Sequence, residues 1–195
     1  MTESADRPVF VLVDGENIDA TLGSNILHRR PDPKDRPRWE RVLEYVRRTW
    51  NSGDVRALFF LNATDMTFPN PFVQALGNMH YKPVLLSGPP EVKIVDVGIL
   101  RSLDAIRALE GDVVLLSHDA DFIPALTPLL DGTRRVGLVG FKEQFNSAYG
   151  ELVPDGLEML DLEYDLGAFN VTLPRIRIIP LDEFDPMPFL LARPV

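Results

Sequence analysis

The chain has 195 residues and a formal net charge of −9, so its length fits one domain and its overall acidity disfavours a nucleic-acid partner. Its residues are 45% apolar, but none of its apolar runs approaches the roughly 20 residues that span a bilayer, which predicts a globular protein with no membrane partner. It contains no cysteine, which excludes disulfides, thiolate metal sites and cysteine nucleophiles.

The first predicted strand ends in an acid. Residues 1–7 are polar and lack the apolar core of a secretion signal, so we expect a disordered lead-in and, with the absence of cysteine, a cytoplasmic protein. An apolar strand follows from Pro8 to Val13, as expected for a strand that is buried on both faces. Asp14 then opens a tight turn and a short helix that contains Asn17.

The next segment, from Gly23 to Pro37, is rich in Pro, Arg and Asp and is predicted to be a long loop. It begins a basic stretch that favours contact with an anionic partner, because local charge rather than net charge acts at a binding groove. Arg29 and Arg30 are its candidates for substrate binding. The alternative is a solvated helix face. The basic residues are Arg29, Arg30, Lys34, Arg36, Arg38, Arg41, Arg47 and Arg48.

Strands and helices alternate through the rest of the chain as far as residue 162. The predicted elements are a helix from Arg38 to about Asn51, a strand from Val55 to Leu61, a helix from Asn70 to Met79, a strand from Lys82 to Leu86, a helix from Val92 to Leu109, a strand from Asp112 to Ser117, a helix from about Asp119, and strands from Arg134 to Val139 and from Leu157 to Leu162. This alternation predicts a three-layer α/β domain over residues 8–162 with a mainly parallel central sheet.

The pattern changes at Glu163. Prolines interrupt residues 163–195, and only the stretch from Arg175 to Pro180 suggests another strand. We expect a C-terminal arm that packs either against the domain or against a second subunit in a homodimer.

Three acids mark a candidate metal site. Asp14 and Asp119 each follow a buried strand, at the sheet edge where open α/β proteins bind ligands. Asp96 lies in an apolar helix, where a charge is costly unless it faces a polar pocket; the alternatives are exposure to water or a pair with Lys93 or Arg101. Oxygen ligands without cysteine suit Mg²⁺ or Mn²⁺ better than zinc.

Four stretches resemble, in order and spacing, the motifs of NYN domains in the PIN-like nuclease superfamily, most closely the bacterial LabA-like branch. They are residues 13–18 (VDGENI), 93–96 (KIVD), 116–122 (LSHDADF) and 136–141 (VGLVGF). The resemblance covers about residues 8–162. It implies a Rossmann-like (PIN-like) fold, a metal-dependent ribonuclease activity and an acidic site at the carboxyl edge of the sheet.

The resemblance also implies roles for individual residues. Asp14, Asp96 and Asp119 would bind the metal, and Asp121 would be a further ligand or support one. Asn17 would orient a water or a phosphate oxygen; the alternative is a helix-start cap.

Three more residues are candidates for substrate binding. Ser117 would hold a carboxylate or water, or else bond to the backbone as a strand-end hydroxyl. Lys93 would neutralise a phosphate, or else be solvated. His118 stands where the family usually has a small residue; it would narrow the pocket, contact substrate or transfer a proton, and the alternative is a surface side chain.

Three functions remain open from the sequence. The first is a ribonuclease that hydrolyses RNA phosphodiester bonds through a carboxylate-bound metal. The second is a module that keeps the nuclease fold and binds RNA or a protein without turnover. The third is a phosphatase of the haloacid-dehalogenase type, whose second acid only Glu16 could supply.

Overall fold

The computed structural model describes residues 7–65, 70–176, 179 and 181–191. It contains a six-stranded sheet in the order β3-β2-β1-β4-β5-β6, in which every strand is parallel to its neighbours. The strands are β1 (Val9–Asp14), β2 (Val55–Asn62), β3 (Tyr81–Leu86), β4 (Asp112–Leu116), β5 (Val136–Gly140) and β6 (Leu157–Asp161). The α/β, Rossmann-like fold that we predicted is confirmed, and the mainly parallel sheet proves to be parallel throughout.

Helices cover both faces of the sheet. They are α1 (Gly15–Thr21), α2 (Trp39–Thr49), α3 (Asn70–Asn78), α4 (Ile94–Ile106) and α5 (Ile123–Leu126); a further helix, α6 (Met187–Leu191), lies in the C-terminal segment. Residues of β1 alternate between the two cores: Val11 packs with α1 and α2 on one face, whereas Leu12 packs with α4 on the other. Because side chains alternate along a strand, a central strand that is apolar throughout requires two cores.

The helix α2 shows how the sequence determines this packing. Trp39, Val42, Leu43 and Val46 recur at helical spacing and are all buried against the sheet. The helix ends before Asn51, whose φ of +49° is the left-handed conformation typical of a helix terminus.

Two predicted elements differ from the structure. The predicted loop from Gly23 contains a π-helix, Leu22–Leu27, which continues directly from α1. The helix predicted after Asp119 is divided into a 3₁₀ turn (Ala120–Phe122), α5 and a second 3₁₀ turn (Thr127–Leu129). Pro124 and Pro128 explain the division, since proline removes a donor from the helix.

The first part of the predicted C-terminal arm packs on the domain. Leu166, Ala168, Phe169 and Leu173 are buried in the core that also contains α2. Neither Arg175 nor Ile176 is in a strand; the remainder of the strand predicted there falls largely outside the described residues, as do residues 1–6 of the predicted lead-in. None of the helices in the described part of the chain combines the length and apolarity that crossing a bilayer requires.

Candidate metal centre

The candidate site lies where the strand order reverses. Along the chain, β2 is added to one side of β1 and β4 to the other, so a crevice opens beyond the carboxyl ends of these two central strands. Asp14 is the last residue of β1, and Ser117, His118 and Asp119 follow β4. The helix α4 brings Asp96 to the same edge with its first turn.

Three carboxylates converge there. One oxygen from each of Asp96, Asp119 and Asp121 lies within 4.8 Å of the others. Asp119 acts as the cap of the short turn after it, because its Oδ1 accepts a hydrogen bond from the Asp121 backbone nitrogen at 2.9 Å. This turn aims both carboxylates at α4, and we call the three acids the acid cluster.

The Lys93 ammonium occupies the middle of the acid cluster. Its Nζ lies 2.9 Å from Asp121 Oδ2, 3.3 Å from Asp96 Oδ2 and 3.4 Å from Asp119 Oδ2. The hydrogen bond to Asp121 and the charge of Asp119 raise the pKa of Lys93. The lysine side chain is 66% exposed, so it can leave this position without repacking the core. Asp96 therefore pairs with Lys93 and faces the polar acid cluster at the same time, so the two interpretations of this residue both hold.

The acid cluster fits a hard divalent cation. Its ligand atoms are carboxylate oxygens, which Mg²⁺ and Mn²⁺ prefer. Among the described residues, Asp96 Oδ2 is buried and accepts no well-formed hydrogen bond, although the Lys93 ammonium is near it. A buried carboxylate oxygen is costly without a cation beside it, and a divalent cation could take the place of the Lys93 ammonium there. Asp96, Asp119 and Asp121 are thus the residues that would hold the metal directly.

Asp14 stands beside the acid cluster rather than within it. Its Oδ2 accepts a hydrogen bond from Ser117 Oγ at 3.1 Å, and Ser117 Oγ in turn accepts one from the Asp119 backbone nitrogen at 3.2 Å. Asp14 is 3% exposed. Burial raises its pKa to about 6, against the lowering effect of hydrogen bonds from Asn17 and Ser117. The structure thus connects Asp14 to Asp119 through Ser117.

Asn17 and His118 contact each other instead of lying apart. Asn17 donates its backbone N–H to Asp14 Oδ1 at 3.1 Å, and its side-chain Oδ1 accepts the backbone N–H of His118 at 2.9 Å. His118 is 8% exposed, so the alternative of a surface side chain is wrong. The sequence could not reveal this because the partners of the imidazole lie on distant elements.

Some of the basic residues in the early segment pair with groups of the chain itself. Arg29 pairs with Asp35 at 2.7 Å, and Arg36 pairs with Asp19 at 2.7 Å. Arg41 donates to the carbonyl oxygens of Gly167 and Phe169, both at 2.9 Å. Arg30 is exposed. No contact among the described residues links Arg29 or Arg30 to the acid cluster, so their substrate-binding role stays a prediction.

Two further features surround the site. Tyr149, whose role the sequence did not indicate, donates its hydroxyl to the Asp119 carbonyl oxygen and so holds the turn that carries the acids. A cavity of about 1070 Å³ lies between α1, α2 and α3 and reaches Gly15 and Glu16, but none of the three clustered acids lines it. Glu16, the phosphatase candidate, accepts the Asn62 backbone N–H at 2.9 Å.

Comparisons with known proteins agree with this architecture. A crystal structure of a protein of unknown function from Vibrio parahaemolyticus is similar with a TM-score of 0.63 and 16% sequence identity, over 85% of this chain and 99% of that one. At that identity the likeness shows the fold alone. No curated protein matches the chain. The sequence model of the NYN domain matches residues 8–154, which is most of the chain. This protein therefore belongs to the NYN domain family, a membership that suggests a nuclease and a nucleic-acid substrate.

Proposed function

We propose that this protein is a metal-dependent ribonuclease that hydrolyses RNA phosphodiester bonds at the acid cluster. The observation that carries the proposal is the convergence of Asp96, Asp119 and Asp121 within 4.8 Å at the switch point of an NYN domain. Within that family, the LabA-like branch stays a prediction from the four motifs.

The acid cluster would hold Mg²⁺ or Mn²⁺ through Asp96, Asp119 and Asp121. When bound, such a cation neutralises phosphate charge and promotes the ionisation of water. Lys93 would then turn from the carboxylates to the substrate, since its exposed ammonium already lies among the groups that bind the cation. It would there pair with a phosphate oxygen.

Asp14 would accept a proton from the attacking water, and Asn17 would donate a hydrogen bond to a phosphate oxygen. Asp14 lies beside the acid cluster and burial raises its pKa, so it would be the group that receives a proton from the attacking water. Ser117 keeps that carboxylate oriented through its hydroxyl. Among the described residues, the Asn17 side-chain nitrogen makes no hydrogen bond, so it is available to donate to a phosphate oxygen.

The test uses purified full-length protein and a labelled single-stranded RNA with Mn²⁺, Mg²⁺ or a chelator. Asp96→Asn and Asp119→Asn each keep the shape of the side chain but remove a charge, so we expect cleavage to fall by about a hundredfold or more. Asp104→Asn is the matched control, because Asp104 is an exposed acid on the same helix that pairs only with Arg107 among the described residues.

A second function is favoured by one observation. Lys93 already neutralises part of the acid cluster, and a protein that binds RNA without turnover would keep this arrangement. Titration calorimetry with Mn²⁺ separates the two functions. Heat of binding that Asp119→Asn abolishes supports the nuclease, whereas RNA binding without metal binding or cleavage supports the non-catalytic module.

A further inference from the structure

Packing in the core fixes the position of the His118 ring. Its ring stacks on Phe141, with centroids 5.5 Å apart and planes 7° from parallel, and lies beside Phe145. A methyl group added at Gly140 would lie 2.6 Å from His118 Nε2, which is closer than non-bonded atoms approach. Arg175 packs over the other ring of the stack, that of Phe141. The imidazole is therefore clamped by its surroundings.

The hydrogen bonds of this imidazole assign its proton. The Phe141 backbone N–H donates to Nε2 at 2.8 Å, so Nε2 carries no proton. The neutral ring then has its proton on Nδ1, which lies 2.9 Å from Asn17 Oδ1 and donates to it. A protonated ring would set its Nε2–H against the Phe141 N–H, so the ring is neutral in this arrangement. Both nitrogens are used within the protein.

Two donors from one residue thus meet the same oxygen of Asn17. The His118 backbone N–H and Nδ1–H both point to Oδ1, each at 2.9 Å. If the Asn17 amide were rotated by 180°, its NH₂ group would face these two donors. Only the observed orientation of the amide therefore allows both hydrogen bonds. The Asn17 backbone is held as well, through its N–H to Asp14. The Asn17 Nδ2 group therefore faces away from His118.

We propose that His118 is a positioning residue that locks the Asn17 amide in the orientation in which Nδ2 donates to a phosphate oxygen of the RNA. The use of Nδ2 rests on the proposed function, whereas the locking of the amide does not. In this role His118 neither touches the substrate nor transfers a proton, since its two nitrogens are already engaged with Asn17 and Phe141.

Two substitutions separate positioning from packing. An asparagine side chain places its NH₂ near the position of Nδ1, so His118→Asn keeps the donor to Asn17 and loses the acceptor for Phe141. A glutamine reaches the position of Nε2, so His118→Gln keeps the acceptor for Phe141 and loses the side-chain donor to Asn17, which leaves the backbone N–H of residue 118 as the single donor from that residue to Asn17 Oδ1. We expect His118→Asn to retain kcat within about twofold while its melting temperature falls. We expect His118→Gln to lose kcat by about five- to tenfold with a smaller change in melting temperature.

If His118 acts by positioning Asn17, the loss of kcat in His118→Gln must depend on the presence of the Asn17 side chain. In an Asn17→Ala background, His118→Gln should produce no further loss of kcat, because the group that it positions is gone. Equal losses of kcat in the two His118 variants, or full additivity with Asn17→Ala, would overturn the proposal.

A spectroscopic arm is independent of cleavage. In the parent protein, ¹⁵N shifts should report His118 with its proton on Nδ1, and the side-chain NH₂ resonance of Asn17 should keep its position in His118→Asn and move in His118→Gln. A proton on Nε2, or an Asn17 resonance that is the same in all three proteins, contradicts the locking of the amide. If the parent protein cleaves no RNA while the NMR pattern holds, only the proposed function and the use of Nδ2 fail.

Discussion

At the scale of single residues, the buried carboxyl group of Asp14 makes stability depend on pH. Burial raises its pKa from 3.8 to about 6, so the folded protein holds a proton that the unfolded chain has released. Between those two pH values the native state binds more protons than the unfolded state. The free energy of unfolding therefore falls as pH rises from about 4 to 6.

Asp14→Asn removes this pH dependence while keeping an acceptor for Asn17. We expect the variant to gain stability relative to the parent as pH rises, on the order of 2–3 kcal/mol by pH 7.5, since a pKa difference of one corresponds to about 1.4 kcal/mol. Urea denaturation at pH 4.5 and 7.5 in chelator measures it. Asp104→Asn, at an exposed site, should show no such trend. A difference between Asp14→Asn and the parent that is the same at both pH values contradicts the prediction.

Lys93 competes with any cation for the acid cluster. Lys93→Met removes a positive charge 2.9–3.4 Å from three carboxylates, so Mn²⁺ affinity should rise by about fivefold or more. RNA affinity should fall, because the same ammonium is proposed to contact phosphate. Calorimetry for Mn²⁺ and a fluorescence titration with RNA in chelator provide the two readouts. Lys82→Met, on the edge strand β3, controls for charge alone. An unchanged Mn²⁺ affinity is the contrary result.

At the scale of elements, the close approach of α1 to β2 fixes where Asp14 and Asn17 stand. A methyl group added at Gly15 would lie 2.2 Å from the Phe59 ring. That ring is 1% exposed and packs edge-on against Trp39, Phe72 and Tyr81, so a shift of the ring would break these three contacts. Only glycine lets the helix begin this close to the strand.

Gly15→Ala should therefore displace the start of α1 and destabilise the protein by about 1–3 kcal/mol. Gly77→Ala, in the helix α3, is the matched control: a methyl group there meets nothing within 4 Å, and alanine should stabilise the helix by up to about 1 kcal/mol. Thermal denaturation compares the two, and Mn²⁺ titration of Gly15→Ala reports on the site. Equal stability of the two variants would show that α1 can move away from β2 without a loss of folding free energy.

At the scale of the whole molecule, a buried arginine joins the C-terminal segment to the sheet. The Arg175 side chain is 0% exposed and pairs with Glu143, Asp161 and Glu163. Burial alone raises the pKa of Asp161, but hydrogen bonds from Arg175 and from the Tyr164 and Lys142 backbone outweigh it and lower that pKa. Stability that comes from this lowered pKa is present above the unfolded value near 4 and is lost as pH falls below it.

Arg175→Met leaves three carboxylates without their cation, and we expect it to cost about 3–5 kcal/mol at pH 7. The cost should shrink below pH 4, where the carboxyl groups bind protons. Denaturant titrations at both pH values, with limited proteolysis of the C-terminal segment, measure it. Arg107→Met removes an exposed, paired arginine and should have little effect. A cost that is independent of pH would show that packing, not charge, holds the segment.

The fold and the sheet edge that carries the acids were accessible from the sequence because strand and helix periodicity is a local pattern. The apolar strands and the acids near their ends predicted a parallel sheet with Asp14, Asp96 and Asp119 near one edge, but not that Asp121 rather than Asp14 would complete the acid cluster. The partners of His118 and Arg175 were not accessible. Phe141 lies 23 residues beyond His118, and Glu143 lies 32 residues before Arg175, and nothing in the intervening sequence marks either contact. The many prolines after residue 163 suggested an irregular arm, so the burial of Arg175 against the domain could not be predicted.

The central place of β4 in the sheet has a consequence for synthesis of the chain. Asp119 and Asp121 reach Asp96 only after β4 has paired with β1, which the ribosome makes about a hundred residues earlier. A nascent chain that ends before residue 121 therefore carries an incomplete set of acids, even if its first three strands have already paired. The cation site can therefore be assembled only after its last carboxylate, that of Asp121, has left the exit tunnel.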